Sequence, residues 1–371
     1  MTIFIWALLG VLAFFAIIQI AYYLFVFTKL AFDKPTNIKN SDLPPVSVII
    51  SAKNEVNNLR EFLPNILSQK YPNFEVLVVN DGSWDETSEF IEQLTKTETR
   101  LKLVDVKVEE KYQKGKKLAL TLGIKAATNE WLLFTDADCR PVSENWIREM
   151  ANGMTSDKEI VIGYSRYKRK NSILNLFIRW ETFYTAMQYL SYAIGKNTYM
   201  GVGRNMAYRK SLFFKVKGFA SHIHLMAGDD DLFVNETADK NNVAVIYTYD
   251  SFVESNPKTS WSEWFSQKRR HIFTGKFYKP KHKFSLGLFN ISHIMFYVFL
   301  TLLLVWGLDF YLYIIAIFSF RFFIQAVIMY NCMKKLRITN IFGLFWIFDI
   351  FMVLYFLTIG TAGIFTKKLK W

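Results

Sequence analysis

The sequence predicts an α/β fold, a mostly parallel sheet with helices on both faces, plus transmembrane helices. Two observations predict it. Between residues 46 and 135, short apolar runs alternate with stretches of helical period, the pattern of parallel strands buried on both faces. Long uncharged stretches stand near both ends of the 371-residue chain, which is 51% hydrophobic and 17% aromatic. Each is long enough to cross a bilayer.

Residues 3–27 carry no charge and read as a transmembrane anchor occupying 1–28. No Lys or Arg precedes this stretch, whereas Lys29 and Lys34 follow it, so the positive-inside bias places the next domain in the cytoplasm. The lack of a basic n-region argues against a cleaved leader. Residues 29–45 form a polar linker that ends at Pro44 and Pro45. Strands are expected over 46–51, 75–80, 101–106 and 130–135, with helices over 57–69 and 116–127. Residues 173–194 are too polar for a span and too aromatic for an ordinary surface helix, so they are expected at the membrane interface.

Apolar stretches recur at 284–308, 310–332 and 341–365, giving a C-terminal transmembrane region over 284–366 of about three helices. Lys276, Lys279, Lys281 and Lys283 precede the first, and Lys334, Lys335 and Arg337 separate the second from the third, so both loops read as cytoplasmic. Lys367, Lys368 and Lys370 conflict with a fourth span. Either that tail is tolerated outside, or the last stretch, interrupted by Gly360 and Gly363, is re-entrant or interfacial. The expected location is the inner (cytoplasmic) membrane, multi-pass, with the domain over 46–275 facing the cytoplasm.

The formal charge of +13 is concentrated beside the apolar segments, where it meets anionic lipid headgroups. Membrane lipids, and not nucleic acid, are therefore the expected partners. Cys139 and Cys332 are far apart, have no metal-ligand spacing and imply no disulfide framework. His293, Arg321 and Asp349 interrupt three apolar stretches at similar depths, about 12 to 17 Å from the cytoplasmic ends at roughly 1.5 Å per residue. Arg321 and Asp349 are expected to pair, because an isolated charge there is costly. The cluster would hold a lipid phosphate or register the bundle.

Carboxylates are scarce in so basic a chain, and their placement is informative. Asp81, Asp136 and Asp138 follow apolar strands, at the carboxyl ends where open α/β sheets bind ligands. Asp81 with Gly82 also suits a turn, and Ser83 a helix cap. Asp136-Ala137-Asp138 crowds two negative charges that need a cation, and hard oxygen ligands suit Mg2+ or Mn2+. Asp229, Asp230 and Asp231 form a third acidic group ahead of a helical stretch.

Taken in order, these pieces resemble the membrane-integrated family 2 glycosyltransferases of GT-A fold. The resemblance rests on Ser51 to Glu55, Asn80 to Ser83, Lys114 to Lys117 with Ala119 and Leu120, Asp136 to Asp138, Gly201 to Asn205, Gly228 to Asp231, and Gln267 to His271. It covers residues 46 to about 275 and reaches processive polysaccharide synthases as well as lipid glycosyltransferases. It implies that Glu55 and Asp81 hold the nucleotide with Ala52 or Lys53 beside the base, and that Asp136 lies near the ribose and pyrophosphate. Asp138 would be the metal ligand, and Lys116 would approach the diphosphate.

The family's base is the second acid of a pair that two further residues separate from a Leu. Leu232 aligns this pair with Gly228 and Asp229, which makes Asp229 the base; Asp230 is the alternative. Glu181 and Asn205 resemble residues near the acceptor. Gln267, Arg270 and His271 resemble the Gln-x-x-Arg-Trp element over acceptor and diphosphate, with His271 replacing the Trp.

The expected activity is inverting transfer of a sugar from a nucleotide-diphosphate donor, with UDP implied by the resemblance, to a membrane lipid acceptor. The small number of spans and the loss of a sugar-stacking Trp at His271 favour the lipid. The alternatives are a processive polysaccharide synthase that elongates and exports a polymer, and a non-catalytic membrane scaffold that only binds nucleotide sugar. Oligomeric state and any export partner are not legible.

Overall fold

The computed structural model describes residues 2–34, 43–106 and 115–365; Lys114, Lys367, Lys368 and Lys370 lie outside them. The chain divides into two units, one of 34–182 with 196–259, the other of 1–33, 183–195 and 260–371. The helix Ile173–Ile194 contributes residues to both.

In the first unit, strands β1 (Val46–Ala52), β2 (Phe74–Asn80), β3 (Leu101–Asp105) and β4 (Trp131–Asp136) are parallel. β1 is central between β2 and β4, and its residues are nearly all buried, as a strand covered on both faces requires. Three shorter strands extend the sheet beyond β4, so a seven-stranded order results. β6 (Ile160–Ile162) and β8 (Met206–Arg209) pair antiparallel, β8 also runs antiparallel to β4, and β9 (Val243–Val245) lies parallel to β6.

A separate three-stranded sheet joins β5 (Cys139–Pro141), β7 (Ser165–Tyr167) and β10 (Val253–Ser255). The core under the large sheet includes Val48, Ile50, Val76, Val78, Leu133 and Trp146. It is continuous with the apolar face of the helix Val56–Leu67, through Leu59, Leu63 and Ile66. The expected parallel strands and helices are all present; the structure adds the antiparallel edge and the small sheet.

In the second unit, four helical segments are long and apolar enough to cross a membrane: Thr2–Ala31, Pro280–Trp306, Leu308–Lys335 and Thr339–Gly363. The protein is therefore a multi-pass membrane protein. The last segment is helical throughout, passing through the π-helical turn Phe356–Gly360. The helix Trp261–Thr274 belongs to this unit, and its Trp264 ring lies 6.1 Å from Tyr355.

The residues that interrupt the apolar stretches meet inside the bundle. Arg321 Nη1 donates to Asp349 Oδ2 at 2.9 Å, and His293 Nε2 stands 3.2 Å from Asp349 Oδ1. The same carboxylate accepts from Tyr297 Oη at 2.6 Å and Gln325 Nε2 at 2.6 Å. Gln19 joins from the first span, accepting from Arg321 at 3.5 Å and donating to Ser292 Oγ at 2.6 Å. Arg321 also lies over the Phe296 ring at 4.6 Å. Asp349 thus supplies the counter-charge to Arg321 within the bundle.

Asp349→Ala would leave Arg321 buried without its counter-charge. The expected loss is about 3–5 kcal/mol, read as a lower thermal midpoint in detergent, with much of it regained in the Arg321→Met/Asp349→Leu double variant. A single variant as stable as the parent chain would contradict this account.

Candidate functional site

The pocket opens where β1 and β4 end. Its walls include Ser51, Lys116, Asp136, Gly203, Asp229 and Asp230. Parallel strands expose their last backbone groups there, and the following turns carry polar side chains into the opening.

The turn after β1 is locked to the turn after β2. Asp81 N donates to Ala52 O at 2.8 Å, Asn54 N to Ser83 Oγ at 2.9 Å, and Trp84 N to Asn54 Oδ1 at 3.0 Å. Asn54 holds a left-handed φ of 58° and Gly82 one of 63°, so both turns depend on residues that tolerate that region. Ala52 is buried, Lys53 is exposed, and Glu55 and Asp81 are half-buried at the edge of these turns. Burial raises the Glu55 carboxyl above its ordinary value, against the Asn58 amide hydrogen bond, and the charges of Asp138 and Asp136 raise it further.

Lys116, on the first turn of the helix Lys116–Ala126, bridges two segments. Its Nζ lies 3.0 Å from Asp136 Oδ1 and 3.2 Å from Asp229 Oδ2. Burial works against the ammonium, but Asp136, Asp229 and Asp230 hold its pKa well above the usual lysine value. In return, although burial pushes Asp136 upward, Lys116 keeps that carboxyl below its ordinary value.

Asp138 moves in the other direction, raised by burial and then by Asp136. Oxygens of Asp136 and Asp138 and the Cys139 sulfur lie within 4.8 Å of one another. Burial, Asp138 and Asp136 keep the Cys139 thiol protonated, with a pKa well above its usual value. The donor set available to an ion is thus two carboxylates, which suits a hard divalent cation, and a cation there would relieve the crowding that raises Asp138.

The third acidic group is sorted by its hydrogen bonds. Asp230 caps the helix Asp231–Thr237, its Oδ1 accepting from Asp231 N at 2.7 Å and its Oδ2 from Gly203 N at 2.8 Å. Burial, Asp229 and Asp231 push its carboxyl up to about 7. Gly203 approaches closely enough that an added Cβ would lie 3.3 Å from Asp230 Oδ2. Asp229 instead faces Lys116.

Gly228 has φ +94°, a backbone conformation that strains any residue with a Cβ, and a Cβ there would meet Leu232 Cδ1 at 2.4 Å. Lys117 secures the preceding loop by donating to His222 O at 2.6 Å and Leu225 O at 3.0 Å.

Asn205 is fully buried; its Nδ2 donates to Tyr164 O and Ser251 O, both at 2.8 Å, and its Oδ1 accepts from Trp146 Nε1 at 2.9 Å. Its amide ties loops together and has no donor left for an acceptor. Glu181 is buried in the helix Ile173–Ile194. Gln267, Arg270 and His271 lie on the helix Trp261–Thr274 in the membrane unit, with His271 exposed.

Sequence reasoning missed Arg204, whose charge acts on Asp136 and Asp138 and whose guanidinium lies 4.5 Å from the Tyr167 ring. The signal was an Arg inside the Gly201 to Asn205 run, noted only as part of a motif.

Comparison with known proteins follows this geometry. The family model for glycosyl transferase family 2 matches residues 47–216. A poly-beta-1,6-N-acetyl-D-glucosamine synthase of Staphylococcus epidermidis is 31% identical over 157 residues, covering 41% of this chain and 36% of that protein. Glycosyltransferase AglE of Haloferax volcanii is 38% identical over 109 residues, covering 29% of this chain and 34% of AglE. The chain thus spans about a third of the length of these relatives. Among solved structures, mannosyltransferase PcManGT from Pyrobaculum calidifontis, in complex with GDP-Man and Mn2+, superposes with a TM-score of 0.55 at 20% identity, over 88% of this chain and 99% of that one. That likeness shows the fold.

Asp230 carries a pH prediction. Its folded pKa of about 7 stands above the ordinary 3.8, so the folded chain binds the proton that the unfolded chain has released. Its contribution is present below 3.8 and is lost as pH rises through about 7. Thermal melts at pH 5 and pH 8 should show a fall for the parent chain that is smaller for Asp230→Asn. Equal falls in both would contradict the assignment.

Proposed function

We propose, from the premise that residues 47–216 form a family 2 glycosyltransferase domain, that the protein is an inverting transferase carrying a sugar from a nucleotide diphosphate to an acceptor hydroxyl at a membrane. The observation that carries this reading is the pocket in which one ammonium, Lys116, stands between a strand-end Asp136 and Asp229. Glu55 and Asp81 hold the nucleoside at the locked turns, with Ala52 and Lys53 beside the base. Lys116, placed between Asp136 and Asp229, binds the diphosphate through its ammonium.

Asp229 is the base, because both carboxylate oxygens of Asp230 already accept backbone N–H groups while Asp229 faces Lys116, a side chain that the donor competes for. The acceptor hydroxyl gives its proton to Asp229 as its oxygen bonds to C1, and the C1–O bond to phosphate breaks on the opposite face, which inverts the anomeric carbon. Mg2+ or Mn2+ held at Asp138, with Asp136 beside it, would neutralise charge on the departing diphosphate. Asp230 holds Gly203 and the start of the helix that carries Asp229's loop.

The acceptor is a growing polysaccharide. The relative from Staphylococcus epidermidis at 31% identity, and those from Staphylococcus aureus at 29%, are polymer synthases by name, which favours extension of a polymer over the lipid acceptor expected from sequence. The lipid reading keeps one specific support, His271 in place of the aromatic Trp. The lysine-rich loops support a catalytic unit facing the cytoplasm.

The purified full chain, given a panel of nucleotide sugars with Mn2+ and membrane lipid, is expected to release nucleotide and yield a long water-soluble polymer. Product confined to the organic phase would instead support the lipid acceptor, and no transfer with any donor would contradict both readings. Asp138→Ala should lose metal-dependent transfer. Asp229→Asn should bind donor as the parent does and lose turnover by about 10²-fold or more; unimpaired turnover would remove Asp229 as the base.

A further inference from the structure

We infer that Cys139 and Ser255 are positioning residues for the Asp138 carboxylate, forming a directed hydrogen-bond chain that begins at Arg204. The inference rests on the proposed role of Asp138 toward a divalent cation and adds how that carboxylate is aimed.

The chain is built by the small sheet. β10 pairs with β5 so that Ser255 faces Cys139, and with β7 so that Ser255 also sits beside Tyr167. Side chains alternate between the faces of a strand, so the neighbouring positions point the other way. There Glu254 binds Arg140 at 2.9 Å and Arg166 at 3.2 Å. This ion triad fixes the register, because a slip of one residue would exchange the two faces.

On the first face, Arg204 Nη1 lies 3.0 Å from Ser255 Oγ, Ser255 Oγ lies 2.8 Å from Cys139 Sγ, and Cys139 Sγ lies 3.2 Å from Asp138 Oδ1. Cys139 and Ser255 are 0% and 1% exposed, so water does not compete for these bonds.

The direction of every hydrogen follows from chemistry. A guanidinium only donates, so Ser255 Oγ accepts from Arg204. An ionised carboxylate only accepts, so the single thiol hydrogen goes to Asp138 Oδ1. The hydrogen between Ser255 and Cys139 is then the serine's, given to sulfur. Each group thus uses the hydrogen it has, and the cationic end polarises the chain toward the carboxylate.

One oxygen of Asp138 is fixed from behind, which leaves its remaining lone pairs for a cation. The protonated sulfur is a poor ligand for an oxygen-preferring ion, so it orients the carboxylate without competing for the metal. Partners behind a metal ligand hold its orientation, and their loss weakens metal affinity.

The test titrates Mn2+ into the full chain in detergent, counting free ion by electron paramagnetic resonance, with the Mn2+ requirement of nucleotide release measured in parallel. Cys139→Ala and Ser255→Ala should each raise the Mn2+ dissociation constant and the half-saturating Mn2+ by about tenfold. Cys139→Ser, which keeps a hydrogen donor, should stay near the parent value. Melting temperatures check folding, and Ser255→Ala carries the test if Cys139→Ala does not fold. Unchanged Mn2+ binding in the folded alanine variants, or a serine variant as weak as the alanine, would overturn the relay. Sugar transfer by the parent chain without any divalent ion would overturn the underlying metal reading instead, whatever the variants do.

Discussion

The arrangement of the candidate site depends on the ammonium of Lys116. Asp136 ends a parallel strand, and Asp229 lies in a loop more than ninety residues later; two carboxylates facing one small opening repel unless a cation stands between them. Lys116 is that cation, at 3.0 and 3.2 Å. Its position follows from the helix Lys116–Ala126, which packs along the same parallel sheet that ends in Asp136. The acids it does not pair with are Asp138 and Asp230, both raised by burial and by neighbouring carboxylates.

The rest of the catalytic unit holds these groups still. Buried polar side chains do this through hydrogen bonds to the backbone and side chains of other segments. Asn205 closes three loops at once, Lys117 holds the loop before the acids, and Glu75 accepts from Ser47 Oγ at 2.6 Å and Thr128 N at 2.7 Å beneath the sheet. The membrane unit follows the same logic at Asp349, where one carboxylate on the last span gathers partners from two other spans. A charge buried in apolar surroundings is tolerable when each of its lone pairs is used.

Much of this was legible in the sequence, and what was not has physical causes. The four parallel strands could be read because each is an apolar run bounded by turn residues, and the acids at their ends followed from the topology. The strands of three or four residues at β5 to β10 could not, since so short a run has no period to detect. Depth along the apolar stretches was enough to pair Arg321 with Asp349, but Gln19, Tyr297 and Gln325 are neutral and leave no such mark.

Asn205 was placed near the acceptor by resemblance alone; its bonds to Trp146, Tyr164 and Ser251 leave no mark in the sequence. The spacing to Leu232 put Asp229 first, with Asp230 as the alternative; in the structure Asp230 accepts from Gly203 N and Asp229 faces Lys116.

The central claim is that the opening at the ends of β1 and β4 binds the donor diphosphate. An experimental structure of the full chain with a non-transferable nucleotide sugar and Mn2+ tests it most directly. The account places the nucleoside at Glu55 and Asp81, the diphosphate within hydrogen-bonding distance of Lys116, and Asp138 on the ion. A nucleotide bound elsewhere, or a Lys116 still bridging Asp136 and Asp229 beside a bound donor, would contradict it.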